Sequence, residues 1–210
     1  MKLYYGANSL LTKPIYGVGN PTNDYGLGLY LTKDLEMAKL WASRFENGYA
    51  ITYEVDMSDL KVLKLDHNNN EDVLKWITLL IKHRFDYRTK EIYKDRISFL
   101  EKNYLVDINE YDVIIGYRAD DSYFAYSRDF LANELSIEKL KEAMMLGHLG
   151  KQIVLKSKKA FSKISFLFSE PVSKDNSYTK FRDEVLNKYH TIKLEDSDSN
   201  TYIRDLVRGE

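Results

Sequence analysis

Apolar residues change their spacing several times along the chain, and each change predicts a different local structure. Between residues 49 and 57 every second residue is apolar, which predicts a half-buried strand. Residues 35–45 instead have the spacing of a helix facing the core, with Trp41 in its apolar stripe and Thr32 or Asp34 as the N-cap. The same reasoning predicts further strands at 2–5, 27–31, 62–65, 111–116, 152–156 and 164–168, and further helices at 72–84, 123–131, 137–146 and 178–189.

Strands and helices both recur over a chain of 210 residues, a length that fits one domain with a sizeable core. We expect an α+β domain at residues 1–170. A highly charged stretch at about 85–110 is interpreted as a partly helical insertion. Residues 171–210 are expected to form a C-terminal extension packed on the domain.

Composition excludes several kinds of site. Lys and Arg (31) nearly balance Asp and Glu (32), so net charge gives no reason to expect bulk nucleic-acid binding. There is no cysteine, which excludes disulfides, thiol nucleophiles and thiolate metal sites, and the four histidines lie too far apart to predict a metal. The first residues do not have the pattern of a secretion signal and no apolar run has membrane-spanning length, so we expect a cytoplasmic protein without a membrane partner.

Three short motifs remain as candidate chemistry. Gly26-Leu27-Gly28 does not have the third glycine of a dinucleotide fingerprint, and there is neither a phosphate-binding P-loop nor a nucleophile-elbow serine. The motifs, in chain order, are the segment 3–6 (LYYG), the segment 26–32 (GLGLYLT) followed directly by the helix at 35–45, and Gln152 at the start of a late strand.

In these motifs the sequence resembles the ADP-ribosyltransferase superfamily, in the branch where three strands supply a His, a Tyr and a Glu or a substitute. It is more closely similar to an uncharacterised bacterial family of that branch, often encoded beside small antitoxin-like genes. The matching segments are 3–6, 24–42, the tyrosine-rich strand, 112–121 and 152–166. The resemblance implies a split β-sandwich with flanking helices and NAD as the substrate.

The resemblance also assigns roles to residues. Tyr30 falls on the central tyrosine whose ring stacks on nicotinamide, and Gly6 on the glycine whose backbone holds the carboxamide. Tyr5 stands where the family has the ribose-binding His, with Asn8 as a possible substitute. Gln152 stands where it has the Glu, and an amide can orient the ribose but carries no negative charge. Tyr5, Tyr30 and Gln152 are therefore the expected catalytic residues.

Further residues are expected to contact NAD. Gly26 and Gly28 would let the backbone approach the ligand, and Arg44 or Arg118 could meet the pyrophosphate. The alternative for Tyr30 is a core aromatic in a tyrosine-rich protein, and Trp41 is expected in the core. Candidates for a carboxylate that would assist Gln152 are Glu134, Asp120 and Asp121, of which the aspartates are equally explained as helix caps.

The function implied is an NAD-dependent ADP-ribosyltransferase, a bacterial toxin of a toxin-antitoxin or defence system. It would transfer ADP-ribose to a protein or nucleic acid and would be neutralised by an antitoxin protein. Two alternatives stay open. The same pocket would serve an NAD glycohydrolase, and the substitutions at Tyr5 and Gln152 are also those of a catalytically silent NAD-binding or interaction module.

Overall fold

The computed structural model describes residues 1–119, 123–146, 150–195, 197 and 199–209, with backbone only at 123 and 124. This part of the chain is an α+β fold with seven strands and nine α-helices. The strands are β1 (Lys2–Ala7), β2 (Leu29–Thr32), β3 (Gly48–Val55), β4 (Val62–Lys64), β5 (Val113–Tyr117), β6 (Lys151–Leu155) and β7 (Ile164–Val172). The helices are α1 (Leu35–Ala42), α2 (Asn70–Arg84), α3 (Tyr87–Ile92), α4 (Lys94–Tyr104), α5 (Tyr123–Ala132), α6 (Ile137–Met144), α7 (Lys158–Ser162), α8 (Ser177–Leu194) and α9 (Ile203–Arg208).

Side-chain caps explain where several helices begin. The Asp34 carboxylate accepts from the backbone N–H groups of Glu36 and Met37, which starts α1, and the Ser136 hydroxyl accepts from Lys139 N–H, which starts α6. The predicted cap at Asp34 is confirmed. Helix α2 begins two residues earlier than predicted because Asn69 provides its cap. The predicted caps at 120–122 and the helix end at Gly147 lie outside the described residues.

The seven strands form one mixed sheet in the order β4-β5-β6-β2-β1-β3-β7. Only β4 and β5 are parallel, and every other neighbouring pair is antiparallel. Apolar residues of the sheet pack on both faces. Ile114 and Val154 join a cluster with the buried face of α2, whereas Val113 and Ile153 join a second cluster on the opposite face.

Strand β3 is more buried than its alternating pattern indicated. Ile51 and Tyr53 are buried on the predicted face, but Ala50 and Thr52 are also at most 1% exposed. Helix α1 packs across β1 and β3 and covers this second face. The prediction of a strand was confirmed, and the prediction that its second face is solvated was wrong at Ala50 and Thr52.

The charged stretch 85–110 contains α3, α4 and a short 3-10 helix at Ile108–Glu110. Helix α4 packs against α2 and buries Ile97 and Leu100. Beyond residue 170, β7 continues to Val172, two residues past the predicted end of the domain. Helix α8 then buries Val185 and Tyr189 against the rest of the fold.

The feature that positions the functional site is an opening between β1 and β2. Strand β2 pairs with β6 along its whole length, and β1 pairs with β3 along its whole length. Among the described residues, however, β1 and β2 pair with each other only through Tyr4 and Thr32. Continuing that register would bring Gly6 opposite Tyr30, so the two strands separate where the first two predicted motifs lie.

Candidate functional site

A cavity of about 520 Å³ occupies the opening between β1 and β2. Its walls come from the end of β1, the loop between β1 and β2, the start of β2, the outer face of α1 and the chain after β5. The first residue of β6 that lies opposite β2, Gln152, also reaches it. We call this cavity the cleft.

Most of the residues predicted from the sequence meet in the cleft. Those that line it are Tyr5, Gly6, Asn8, Gly28, Tyr30, Arg44, Arg118 and Gln152. Trp41, which we expected in the core, is half-buried and also lines the cleft.

Two of the predicted residues that the structure describes, Gly26 and Glu134, do not line the cleft. Gly26 lines a second cavity of about 320 Å³, together with His83 and Lys156. Its φ of +69° is a conformation that glycine adopts readily, so it shapes the loop before β2. Glu134 lies away from the cleft and forms an ion pair with Lys193 at 2.8 Å. Residues 120 and 121 are outside the described residues.

Gly6 presents its backbone to the cleft, as the hydrogen-bond pattern of β1 shows. The N-terminal ammonium of Met1 donates to Val55 O (2.7 Å) and Val55 N–H donates to Met1 O (2.9 Å), so these residues form a hydrogen-bonded pair. Such pairs alternate along an antiparallel ladder, and the β1–β3 register is regular. Tyr5 and Ala7 therefore bond to β3, whereas Gly6 turns its N–H and C=O toward the opening.

Packing of helix α1 requires the absence of a side chain at Gly6. A Cβ there would lie 2.3 Å from Ala38 O and 2.9 Å from Trp41 Cβ, so helix α1 can pack this closely only against glycine. At Gly28 a Cβ would lie 2.7 Å from Val154 Cγ1. Both glycines line the cleft, and close packing between elements requires glycine at both positions.

The Tyr30 side chain is fixed through its hydroxyl. The hydroxyl donates to Gly26 O (2.5 Å) and accepts from Tyr25 N–H (3.0 Å), and burial raises its pKa far above the usual tyrosine value. Lys156 holds the same loop from its other side, because Nζ donates to Tyr25 O at 2.6 Å and to Leu27 O. Burial lowers the pKa of Lys156 to about 8. The Tyr30 ring is thus a rigid wall of the cleft.

Tyr5 and Asn8 have groups available to a ligand. Within the described part of the chain the Tyr5 hydroxyl has no hydrogen-bond partner, and burial raises its pKa, so it stays a neutral donor and acceptor. Asn8 is exposed, and its side-chain oxygen accepts a long hydrogen bond from Ser9 (3.4 Å).

Gln152 belongs to a buried polar network that the sequence did not indicate. Its Nε2 donates to Asp24 Oδ2 (3.0 Å) and to Tyr117 O (3.1 Å). Asp24 is 5% exposed, lines the cleft, and also accepts from Ala119 N–H (2.9 Å) and from Arg84 Nη1 (2.7 Å). The same Arg84 atom donates to Ala119 O (2.7 Å). The cleft therefore contains a buried carboxylate beside Gln152, at a residue we had not named.

Only one cue in the sequence could have identified Asp24. It stands immediately before the glycine-tyrosine run, within the segment 24–42 that carried the resemblance. Arg84 had no such cue, because it is the last residue of α2 and its basic charge is equally explained by the helix terminus.

The charged side chains of the cleft favour an anionic ligand. Among the described residues, three arginines (Arg44, Arg84 and Arg118) and one acidic residue, Asp24, line it. Arg84 is paired with Asp24, whereas Arg44 has no carboxylate partner within the described ranges and stacks on the ring of Tyr178 at 4.7 Å. The guanidinium of Arg118 lies over the ring of Trp41. Guanidinium groups of this kind bind phosphate oxygens well.

Two kinds of feature are absent from the described residues. No helix in them is long and apolar enough to cross a membrane. No group of three or more His, Cys, Asp or Glu residues in the same ranges could hold a metal ion.

Comparison with known proteins identifies a family. No curated protein and no solved structure matches the chain. A family model described as "Protein of unknown function (DUF3990)" matches residues 1–166, which include every described residue that lines the cleft. This match covers well over half of the 210 residues, and the chain therefore belongs to the DUF3990 family.

Proposed function

We propose that the cleft binds NAD, breaks the bond between nicotinamide and ribose, and transfers ADP-ribose to a macromolecular acceptor. The observation that carries the proposal is the separation of β1 from β2, which brings Tyr5, Gly6, Tyr30 and Gln152 around one cavity although they come from three distant motifs. We further propose that the α+β domain has the ADP-ribosyltransferase-like split β-sandwich, with the opening as its split.

The walls of the cleft suit nicotinamide. Gly6 turns an N–H and a C=O toward the opening, and a primary carboxamide has the complementary acceptor and donor. The Tyr30 ring stands on the opposite strand, held by its hydroxyl, where it can stack on a flat heteroaromatic ring. Binding of nicotinamide between these walls requires little rearrangement of the protein.

The polar groups suit the rest of NAD. Arg44 and Arg118 would bind the pyrophosphate, and the Tyr5 hydroxyl and Gln152 would contact the ribose. In the reaction the C–N bond breaks and its electron pair leaves with nicotinamide, which becomes neutral. Positive charge passes to the ribose, and an acceptor nucleophile adds there and loses its proton. A carboxylate nearby stabilises this charge, and Asp24 lines the same cavity.

The biological setting is part of the same proposal. We propose a cytoplasmic toxin or defence effector that modifies a protein or nucleic acid and is neutralised by an antitoxin protein. This setting rests on the resemblance described above. Expression of the wild-type chain in bacteria is expected to slow growth, and expression of Tyr30→Ala is not.

The test measures the release of nicotinamide and the transfer of ADP-ribose separately. Purified protein is incubated with NAD labelled in the adenylate phosphate, with and without bacterial lysate, and nicotinamide is measured by chromatography. We expect nicotinamide release and label on lysate protein, DNA or RNA, both reduced at least about tenfold in Tyr30→Ala. The matched control is Tyr87→Ala, since Tyr87 is 78% exposed on α3 and is not in the cleft.

Other outcomes assign other functions. Free ADP-ribose that accumulates without any acceptor identifies an NAD glycohydrolase. NAD binding in calorimetry without nicotinamide release identifies a silent binding module. Neither binding nor release, from folded protein, overturns the proposal.

A further inference from the structure

The orientation of the Gln152 amide is fixed by its surroundings. Nε2 lies between two acceptors, the Asp24 carboxylate and Tyr117 O, so only the NH2 end of the amide fits there. Tyr117 O also accepts from Tyr25 Oη (3.0 Å) and Trp76 Nε1 (3.1 Å), which fixes this carbonyl in turn. The amide cannot rotate without placing an oxygen against two oxygens.

The other end of the amide is therefore directed away from the network. Both of these hydrogen bonds are made by Nε2, so Oε1 stands at the opposite end of a side chain whose residue is 2% exposed. Because Gln152 lines the cleft, Oε1 is the atom of this amide that would accept a hydrogen bond from a ligand hydroxyl.

Asp24 supplies the charge that an amide does not have. It is the one acidic residue that lines the cleft in the described ranges, and three donors hold it in place. Its ion pair with Arg84 lies on Oδ1, whereas Oδ2 faces Gln152. The carboxylate is thus buried beside the Gln152 amide and lines the same cavity.

We propose that Gln152 and Asp24 together replace one catalytic carboxylate, with Gln152 contacting the ribose and Asp24 supplying the negative charge. Gln152 accepts a hydrogen bond from a ribose hydroxyl through Oε1. Asp24 is a positioning residue that orients the amide and holds a negative charge beside the ribose as the ribose becomes cationic. The inference rests on the proposed function and explains why a glutamine, and not a glutamate, occupies position 152.

The inference predicts that the substitution Gln152→Glu does not improve the enzyme. A glutamate would bring a second carboxylate to about the 3.0 Å that separates Nε2 from Asp24. Two carboxylates at this distance do not both ionise, so the pair shares one proton. Turnover in Gln152→Glu is expected to be no higher than in wild type, and the pH profile of kcat gains an ionisation that wild type does not have.

The experiment compares nicotinamide release by wild type, Asp24→Asn, Gln152→Glu and the double variant with both substitutions. Asp24→Asn is expected to lower kcat about 10- to 100-fold with a much smaller change in KM, because it removes charge that acts on the transition state. The double variant exchanges carboxylate and amide, so it is expected to recover at least about tenfold over Asp24→Asn. A purely structural role of Asp24 gives no such recovery.

The outcomes separate the two proposals. If folded wild-type protein neither binds nor cleaves NAD, the proposed function fails and the inference fails with it. If wild type is active but Asp24→Asn keeps its kcat, the inference alone is overturned. Should Asp24→Asn not fold, Gln152→Glu decides: a wild-type pH profile with higher kcat overturns the inference, and an added ionisation supports it.

Discussion

Arg84 donates to two buried acceptors, and replacing it with methionine leaves both without this donor. Nη1 lies 2.7 Å from Asp24 Oδ1 and 2.7 Å from Ala119 O. The Arg84 side chain is 16% exposed and the Asp24 side chain 7%. Removing one partner of a buried ion pair costs about 3–5 kcal/mol. Asp24 keeps its bonds from Ala119 N–H and Gln152, so we expect Arg84→Met to lose about 2–4 kcal/mol of unfolding free energy. Methionine retains the apolar stem of the side chain.

Urea unfolding followed by tryptophan fluorescence measures this loss. Arg88→Met is the matched control, since Arg88 is exposed on α3, and its unfolding free energy should stay within about 0.5 kcal/mol of wild type. The double variant Asp24→Leu/Arg84→Met should be more stable than Arg84→Met, because it no longer buries an unpaired charge. A loss below about 1 kcal/mol for Arg84→Met, or a double variant that is no more stable, would refute the reasoning.

Three further predictions concern the walls of the cleft and the second cavity, which His83 lines. Gly6→Ala places a Cβ 2.3 Å from a carbonyl oxygen of α1, so thermal unfolding should show a loss of about 2–4 kcal/mol, and an unchanged melting temperature contradicts the packing. Tyr30→Phe keeps the ring but removes the hydroxyl that bonds the 25–26 backbone. Urea unfolding should show a loss of about 1–3 kcal/mol in unfolding free energy, and calorimetry should still detect NAD binding. If the variant is as stable as wild type, the Tyr30 hydroxyl does not hold the loop in place. Burial lowers the pKa of His83 from 6.5 to about 4, so the unfolded chain takes up this proton first as the pH falls, and folding stability is lost between pH 6.5 and 4. His83 is only partly buried, so His83→Gln should remove only about 1–2 kcal/mol of that loss, and His190→Gln at an exposed site is the matched control.

Local signals were sufficient for elements whose ends and faces are determined within a few residues. Helix α1 was predicted from its apolar spacing and the Asp34 cap, and β3 from its alternation. Strand β2 begins at Leu29, two residues later than predicted. The chain before it is held as a loop by Tyr30 and by Lys156, which comes from a distant strand end, and no short window of sequence contains that contact.

The candidate site divides in the same way. The motifs in the sequence predicted that Tyr5, Tyr30 and Gln152 meet at one site. In the structure they lie on three neighbouring strands, and all three line the cleft. Asp24 could not be predicted as buried, since its three donors lie 60, 95 and 128 residues away along the chain. A carboxylate is buried only where such donors meet, and sequence spacing does not contain that information.

The unusual number of tyrosines has a structural meaning around the cleft. Extending the β1–β2 ladder would add backbone hydrogen bonds, yet the strands separate, so other contacts must hold the walls apart. Tyr53 Oη donates to Leu11 O and fixes the long loop on the β3 side, while Tyr30 Oη fixes the loop on the β2 side. Tyr25 Oη donates to the carbonyl of Tyr117, at the end of β5. Each hydroxyl is carried by a rigid ring that costs little conformational entropy to order, so three tyrosines satisfy backbone carbonyls in the segments around the opening. The opening is therefore built into the folded state, and a ligand that enters it does not have to separate paired strands.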